Sequence, residues 1–309
     1  MRKKIITIVI AIVALIFILN KLSLLFIRKG NGYGTDVLNF YKQPKNSIDI
    51  IFLGSSHAYS SFNPYLIEQD TGLKGYCFST QQQPLWITYY YLQEALKYQK
   101  PKYVVLEVHM AVVGNNDYAE ESVNREAIDK MRMSVNKINA INVSVEDKSD
   151  RISYYFNIIK YHSRYKELNK QDFLTAFCDN TVDNKGYIAL PKNQHVFDQI
   201  QCNSNETKKI TDKNEEYLKK IISLAKSNNI NLILVKTPCQ YGEDYYEKLN
   251  YINEIAEKEE VPFYNYVKNI ESINLDFDND FFDNGHLNMY GSEKFTNKFI
   301  IDANLKNNQ

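Results

Sequence analysis

The chain has few residues that break or cross-link structure. Its 309 residues include 11 glycines, 7 prolines and 4 cysteines. So few breakers, beside 24 tyrosines and 16 phenylalanines, argue against a disordered chain. The cysteines (Cys77, Cys178, Cys202 and Cys239) are scattered without a C-x-x-C pair. That argues against a zinc ribbon or a thioredoxin-like centre. Buried free thiols are the favoured account; outside the cytoplasm a Cys178–Cys202 disulfide is also open. An excess of either charge sign is missing too. Lys+Arg and Asp+Glu both number 37, so nothing in the overall balance suits a nucleic-acid partner. No metal-ligand spacing, internal repeat or long low-complexity tract appears, and no cofactor is expected.

What the sequence does have begins at the N-terminus. "MRKK" precedes the apolar stretch "IITIVIAIVALIFILNKLSLLFI", residues 5–27, followed by "RKG". At about 1.5 Å per residue it is long enough to span a bilayer core of about 30 Å. Its first part also has the character of a secretory-signal core, but no small-residue cleavage site follows. The reading is an uncleaved anchor over residues 1–28, with Arg2, Lys3 and Lys4 inside and the rest of the chain outside the cytoplasm. Lys21 would then snorkel to the outer interface. Residues 29–46 read as a tether.

From residue 47 onward, apolar runs alternate with amphipathic segments. "IDIIFLG", "KGYCFS", "KYVVLEVHM", "NINLILVKTP" and "VPFYNY" read as strands, several buried on both faces. Asn63, Pro64 and Gly72 mark the cap, first turn and stop of one helix. Pro84 opens another helix, and "NMYGSEKFTNKFIID" closes the chain as a third. The alternation predicts an α/β fold: a mostly parallel sheet with helices on both faces. Residues 111–206 break the rhythm and read as an insertion over the carboxyl ends of the strands, the edge where open parallel sheets bind ligands.

One strand end stands out. "IIFLG" runs directly into Ser55, Ser56 and His57. A tight turn at Gly54 would lift a serine hydroxyl clear of the sheet. A serine needs a base within hydrogen-bond reach, and the base needs an orienting group. "FFDNGHLNMYGSEKF" offers both: Asp283 and His286 lie three residues apart in a glycine-containing loop before the last helix. Each element alone has a plain structural reading as a turn, a helix cap or a surface histidine; their combination is the signal.

"FLGSSH" followed late by "DNGHLN" resembles the SGNH/GDSL hydrolase superfamily over residues 48–110 and 229–305. The resemblance implies a three-layer α/β/α sandwich of flavodoxin-like topology. It implies Ser56 as nucleophile, His286 as general base and Asp283 as its orienting partner. Ser55 stands where the family has an aspartate and is expected to shape the turn. The family's oxyanion-hole glycine and asparagine have no clean counterpart. Backbone N–H groups near Ser56 and a donor from Ser79 to Gln82, Gln81 and Gln82 included, are the expected substitutes; Asn115 and Asn116 lie a little far beyond the third strand. His57 is expected to line the site. Glu107 and His109, ending the third strand, are expected to support it or to pair with each other. His162 and His195 receive no role.

With its anchor, the chain looks more like one branch of the superfamily. That branch holds the D-alanyl transfer protein of teichoic acid synthesis and alginate-type O-acetyltransferase proteins. The likeness implies ester chemistry on a cell-envelope polymer or acylated sugar, beside a multi-pass membrane acyltransferase. Trp86, Tyr89 and Tyr90 could supply a sugar platform, although core packing is the favoured reading for at least two of them. Two other readings stand beside this one. One is an SGNH-fold carbohydrate-binding or scaffolding protein without turnover. The other is a lipase-like esterase for small diffusible esters.

Overall fold

A computed structural model describes residues 2–27, 37–114, 117–178, 183–193, 204–268 and 270–307. Five parallel strands make one sheet: β1 (Ile50–Leu53), β2 (Gly75–Cys77), β3 (Tyr103–Glu107), β4 (Asn231–Lys236) and β5 (Phe263–Asn265). Their order is β2-β1-β3-β4-β5, the flavodoxin-like arrangement. β1, β2 and β3 are buried along their whole length because both faces of the sheet are covered.

The helices, in chain order, start with α1 (Arg2–Phe26) and α2 (Val37–Phe40). α3 (Ser56–Ser61) and α4 (Pro64–Thr71) follow β1, and α5 (Leu85–Ala95) follows β2. After β3 come α6 (His109–Val113), α7 (Glu121–Ile128), α8 (Val135–Ser144), α9 (Arg151–Tyr155), α10 (Asn157–Tyr161) and α11 (Lys170–Cys178). α12 (Asp212–Ser227) leads into β4, α13 (Glu243–Lys258) into β5, and α14 (Met289–Asp302) closes the fold.

Alternate residues of the strands point into two separate cores. Ile51, Leu53, Val104, Leu106 and Leu234 pack with α5, α12 and α13. Ile50, Phe52, Val105 and Val235 pack with α3, α4 and α14. The result is the expected α/β/α sandwich. The second core is aromatic: Phe62 stacks on Phe52 at 4.5 Å and meets Phe295 and Phe299 edge-on at 5.2 and 5.1 Å. α4 begins and ends where its sequence says. The Asn63 side chain accepts the N–H groups of Tyr65 and Leu66, and Gly72 closes the helix in the left-handed conformation at φ 73°.

Four expectations change. The third strand stops at Glu107, and His109 opens α6 instead of extending the strand. The described end of the tether, residues 37–46, is folded onto the domain: Phe40 is fully buried and stacks on Phe78 at 4.0 Å. Most of the insertion avoids the carboxyl edge. α8 packs on α5, and α10 and α11 pack on α1; among the described residues, the segment 183–193 reaches that edge, and Val113, Gly114, Tyr118 and Val123 border it beside Gln82. Lys21, expected to snorkel, is half-buried, and its ammonium donates to the Ala176 carbonyl of α11 at 2.9 Å.

Residues 2–26 form one helix long and apolar enough to cross a membrane. Of the cysteines, Cys77 and Cys239 are buried free thiols, whereas Cys178 is exposed at the end of α11. Cys202 lies outside the described residues.

Phe62→Ala should cost about 3–5 kcal/mol of stability, as expected for a buried phenylalanine whose neighbours cannot collapse into the gap. Urea denaturation checks this; a loss below about 1 kcal/mol would contradict the packing role.

Candidate active site

The turn after β1 is built around Gly54. Its φ is 141°, a region open to glycine, and a Cβ there would lie 2.9 Å from Glu107 Cβ. The chain therefore turns sharply at the carboxyl end of β1 and starts α3 at Ser56. Ser55 is the N-cap, in extended conformation, and its side chain makes no capping bond. This edge, between β1 and β3, is where the strand order reverses and where open α/β sheets bind ligands.

The late loop closes on the same point. Phe281 and Leu287 form an antiparallel bridge, and the Phe282 N–H donates to the His286 carbonyl. Asn288 caps α14 and donates back to the Asn279 and Phe281 carbonyls. Within this hairpin, Asp283 Oδ1 accepts the N–H groups of Gly285 and His286, each at 2.8 Å. His286 Nδ1 lies 2.8 Å from Asp283 Oδ1, and Nε2 lies 2.8 Å from Ser56 Oγ. With the Nδ1 proton donated to the carboxylate, Nε2 is left to accept from the serine hydroxyl. Burial pushes the Asp283 carboxyl up. The bonds from His286 and the loop N–H groups outweigh it and hold the carboxyl below its usual range. Asp283 therefore stays ionised near neutrality.

His57 is buried behind this chain of contacts. Its ring lies between His109, at 3.8 Å, and His286, at 4.6 Å. His57 Nδ1 faces the Lys236 ammonium at 3.4 Å and Thr237 Oγ1 at 3.5 Å. Lys236 in turn donates to Glu107 Oε1 at 2.6 Å, and both side chains are fully buried. Glu107 Oε2 accepts the His109 N–H, so glutamate and histidine are not paired through their side chains. His109 Nδ1 instead meets the Tyr245 hydroxyl at 2.8 Å. Burial holds both His57 and His109 well below the ordinary histidine value. Their mutual proximity, Lys236 and His286 add to the effect on His57; Lys236 and His286 add to it on His109. Both rings are neutral near pH 7.

A cavity of about 400 Å³ opens over Ser56. Ser55, Ser56, His57, Gln81, Gln82, Asp283 and His286, all singled out from the sequence, line it. Ser79 is buried with an unpartnered hydroxyl and is not among the lining residues, which removes it as a donor to the cavity. Asn115, Asn116 and His195 lie outside the described residues. His162 is exposed and engages the Ile159 carbonyl. The aromatic platform is absent: Trp86 and Tyr90 are buried and Tyr89 packs against the first core, because α5 turns all three towards α12, where Tyr89 and Tyr90 meet Tyr217 and Lys213 lies over Trp86.

The cavity also contains residues the sequence did not single out: Tyr59, Met110, Leu190, Tyr241 and Phe282. Leu190 is carried in by the 183–193 segment, held where the Ile188 N–H donates to the Tyr59 carbonyl and the Met289 N–H to the Leu190 carbonyl. Lys236 was missed as well. Its signal was a lysine closing an otherwise apolar strand, "NLILVK".

The sequence matches no protein-family model and no curated protein. Among solved structures it is similar to a Bacteroides fragilis protein described provisionally as an acylhydrolase. The match has a TM-score of 0.38 at 12% identity and covers 87% of this chain and 94% of the other.

The buried histidines generate a pH dependence. In the unfolded chain they bind protons below about pH 6.5, and in the folded chain they resist. Stability is therefore constant above that value and falls as the pH drops below it, by about 1.4 kcal/mol per pH unit for each histidine. His109→Gln should remove about half of the His57 and His109 contribution to this slope, measured from urea midpoints between about pH 7 and pH 5. An unchanged slope would mean that His109 is not held neutral.

Proposed function

We propose that the chain is a membrane-anchored serine esterase or O-acyltransferase of the SGNH type, working through an acyl-serine intermediate. The observation that carries this reading is the Ser56–His286–Asp283 relay, with both of its closest contacts at 2.8 Å, opening into a cavity at the switch point of the sheet. As Ser56 Oγ attacks an ester carbonyl, its proton passes to His286 Nε2. Collapse of the tetrahedral adduct breaks the ester C–O bond, and His286 returns the proton to the departing alcohol. An acceptor hydroxyl or water then repeats the sequence on the acyl-serine and regenerates the Ser56 hydroxyl. Asp283 stays ionised and steadies the imidazolium.

His57, neutral beside His286, spares that imidazolium a second histidine cation in direct ring contact. The Ser56 N–H, in the first turn of α3 and so without an intrahelical acceptor, is one proposed oxyanion donor. A side-chain amide of Gln81 or Gln82 is the other.

The resemblance extends the proposal to an envelope polysaccharide or related polymer as substrate, with a multi-pass membrane acyltransferase as partner. The apolar α1 supports a membrane location, and the basic Arg2, Lys3 and Lys4 ahead of it favour a domain outside the cytoplasm. A binding or scaffolding role without turnover draws on one observation: the Ser79 hydroxyl is withheld from the cavity.

A fluorophosphonate probe on the full chain in detergent decides between these readings. Wild type should label at Ser56 and Ser56→Ala should not. His286→Ala should slow labelling by about 10⁴-fold or more, the scale of loss when a triad member is removed. A folded wild type that stays unlabelled rules out catalysis. Orientation has its own test. A protease confined to the outside of intact cells should digest the domain, and full protection would reverse the assignment.

A further inference from the structure

The Lys236 ammonium has three N–H bonds and no lone pair, so each of its polar contacts is a donation. It meets Glu107 Oε1 at 2.6 Å, Thr237 Oγ1 at 3.1 Å and His57 Nδ1 at 3.4 Å. Three protons face three acceptors. His57 Nδ1 therefore turns its lone pair to Lys236 and carries no hydrogen. Burial keeps the ring neutral, with His109, Lys236 and His286 adding to the effect. A neutral imidazole holds one proton, and here that proton sits on Nε2. The tautomer of His57 is set by a lysine at the end of β4.

Within the protein, this N–H meets no acceptor. His57 is 1% exposed, and its Nε2 is buried without a hydrogen-bond partner. The two ring faces are covered, one by His109 at 3.8 Å and the other by His286 at 4.6 Å. The Cε1 edge, next to Nε2, borders Gly285. A Cβ there would lie 3.4 Å from Cε1, so the glycine leaves that edge without a side chain over it. His57 follows Ser56 in the chain and lines the cavity above it. Native folds keep few buried donors unpaired, and a catalytic role is one reason they keep them.

We infer that His57 is a catalytic residue: its Nε2–H, fixed by Lys236, donates to the carbonyl oxygen of the ester held over Ser56 and, with the Ser56 N–H, steadies the oxyanion of the tetrahedral adduct. The inference rests on the acyl-serine reading and adds a donor to it. The proton stays on Nε2 throughout, and His286 alone carries protons between oxygens. Nδ1 is occupied by an ammonium and closed to a further proton, so His57 does not compete with His286 as a base. A neutral imidazole held as a donor polarises a carbonyl without setting a second cation against the His286 imidazolium.

Two variants of the full chain in detergent separate this role from packing, with the rate of fluorophosphonate labelling as the readout. His57→Phe keeps an aromatic ring in the stack and loses the donor. His57→Gln loses the ring and keeps an N–H at a similar reach. Labelling of His57→Phe should slow by about a hundred-fold or more, the scale of one lost oxyanion donor, and His57→Gln should recover about ten-fold of that. The opposite order, with His57→Phe the faster, makes the ring a packing element and overturns the inference while the serine chemistry stands. Nitrogen-15 NMR of the histidine-labelled wild type near pH 7 reads the tautomer independently of activity. His57 should show a bare Nδ1 and a protonated Nε2. A proton on Nδ1 overturns the inference, even where both variants fail to fold. A folded wild type that stays unlabelled overturns the serine chemistry itself, and this role with it.

Discussion

The fully buried ion pair between Glu107 and Lys236 holds the carboxyl edge of the sheet together. Neither charge can leave the other without standing alone in an apolar interior, at a cost of several kcal/mol. The pair therefore ties the end of β3 to the end of β4. Glu107 also fixes the start of α6 through the His109 N–H, and its Cβ is the atom that a side chain at position 54 would strike. The turn that launches Ser56 is thus shaped against the same residue that neutralises Lys236. Lys236 passes the constraint on to His57, and His57 to the ring of His286. The relay seen at the surface stands on a charged pair that no solvent reaches.

Much of this could be read from the sequence where the physics is local. Strands buried on both faces appear as unbroken apolar runs, and β1 and β3 sat inside "IDIIFLG" and "KYVVLEVHM". Asn63, Pro64 and Gly72 bounded α4 because capping and left-handed closure depend on a few adjacent residues. The Asp283–His286 contact was legible for the same reason, as both side chains belong to one turn. What the sequence hid depends on topology. His57, His109 and His286 stack only because three separate loops end at one edge. Lys236 reads as an ordinary polar strand end until Glu107 is seen beside it. The insertion was misplaced because its polar composition says that it lies on a surface, not which one.

The two ends of the domain have different characters. At the carboxyl edge, charges are buried, paired and shared among neighbours, which suits a site whose geometry must not drift. At the foot, α11 lies along α1 and leaves the rings of Phe173 and Phe177 exposed. α1 packs against α10 and α11, so its C-terminal end is held by the domain rather than left to a loose tether.

Ser56 and His286 are separated by 230 positions in the chain, yet touch. The contact depends on α14, which docks on α3 where the Ser292 and Thr296 hydroxyls donate to the Ser61 carbonyl. Contacts so distant in the chain form late in folding, after the local helices and turns that flank them. Until α14 has closed on the sheet, Ser56 is an ordinary alcohol with no base beside it. The docking face of α14, far from the cavity, thus decides whether the serine meets the imidazole at all.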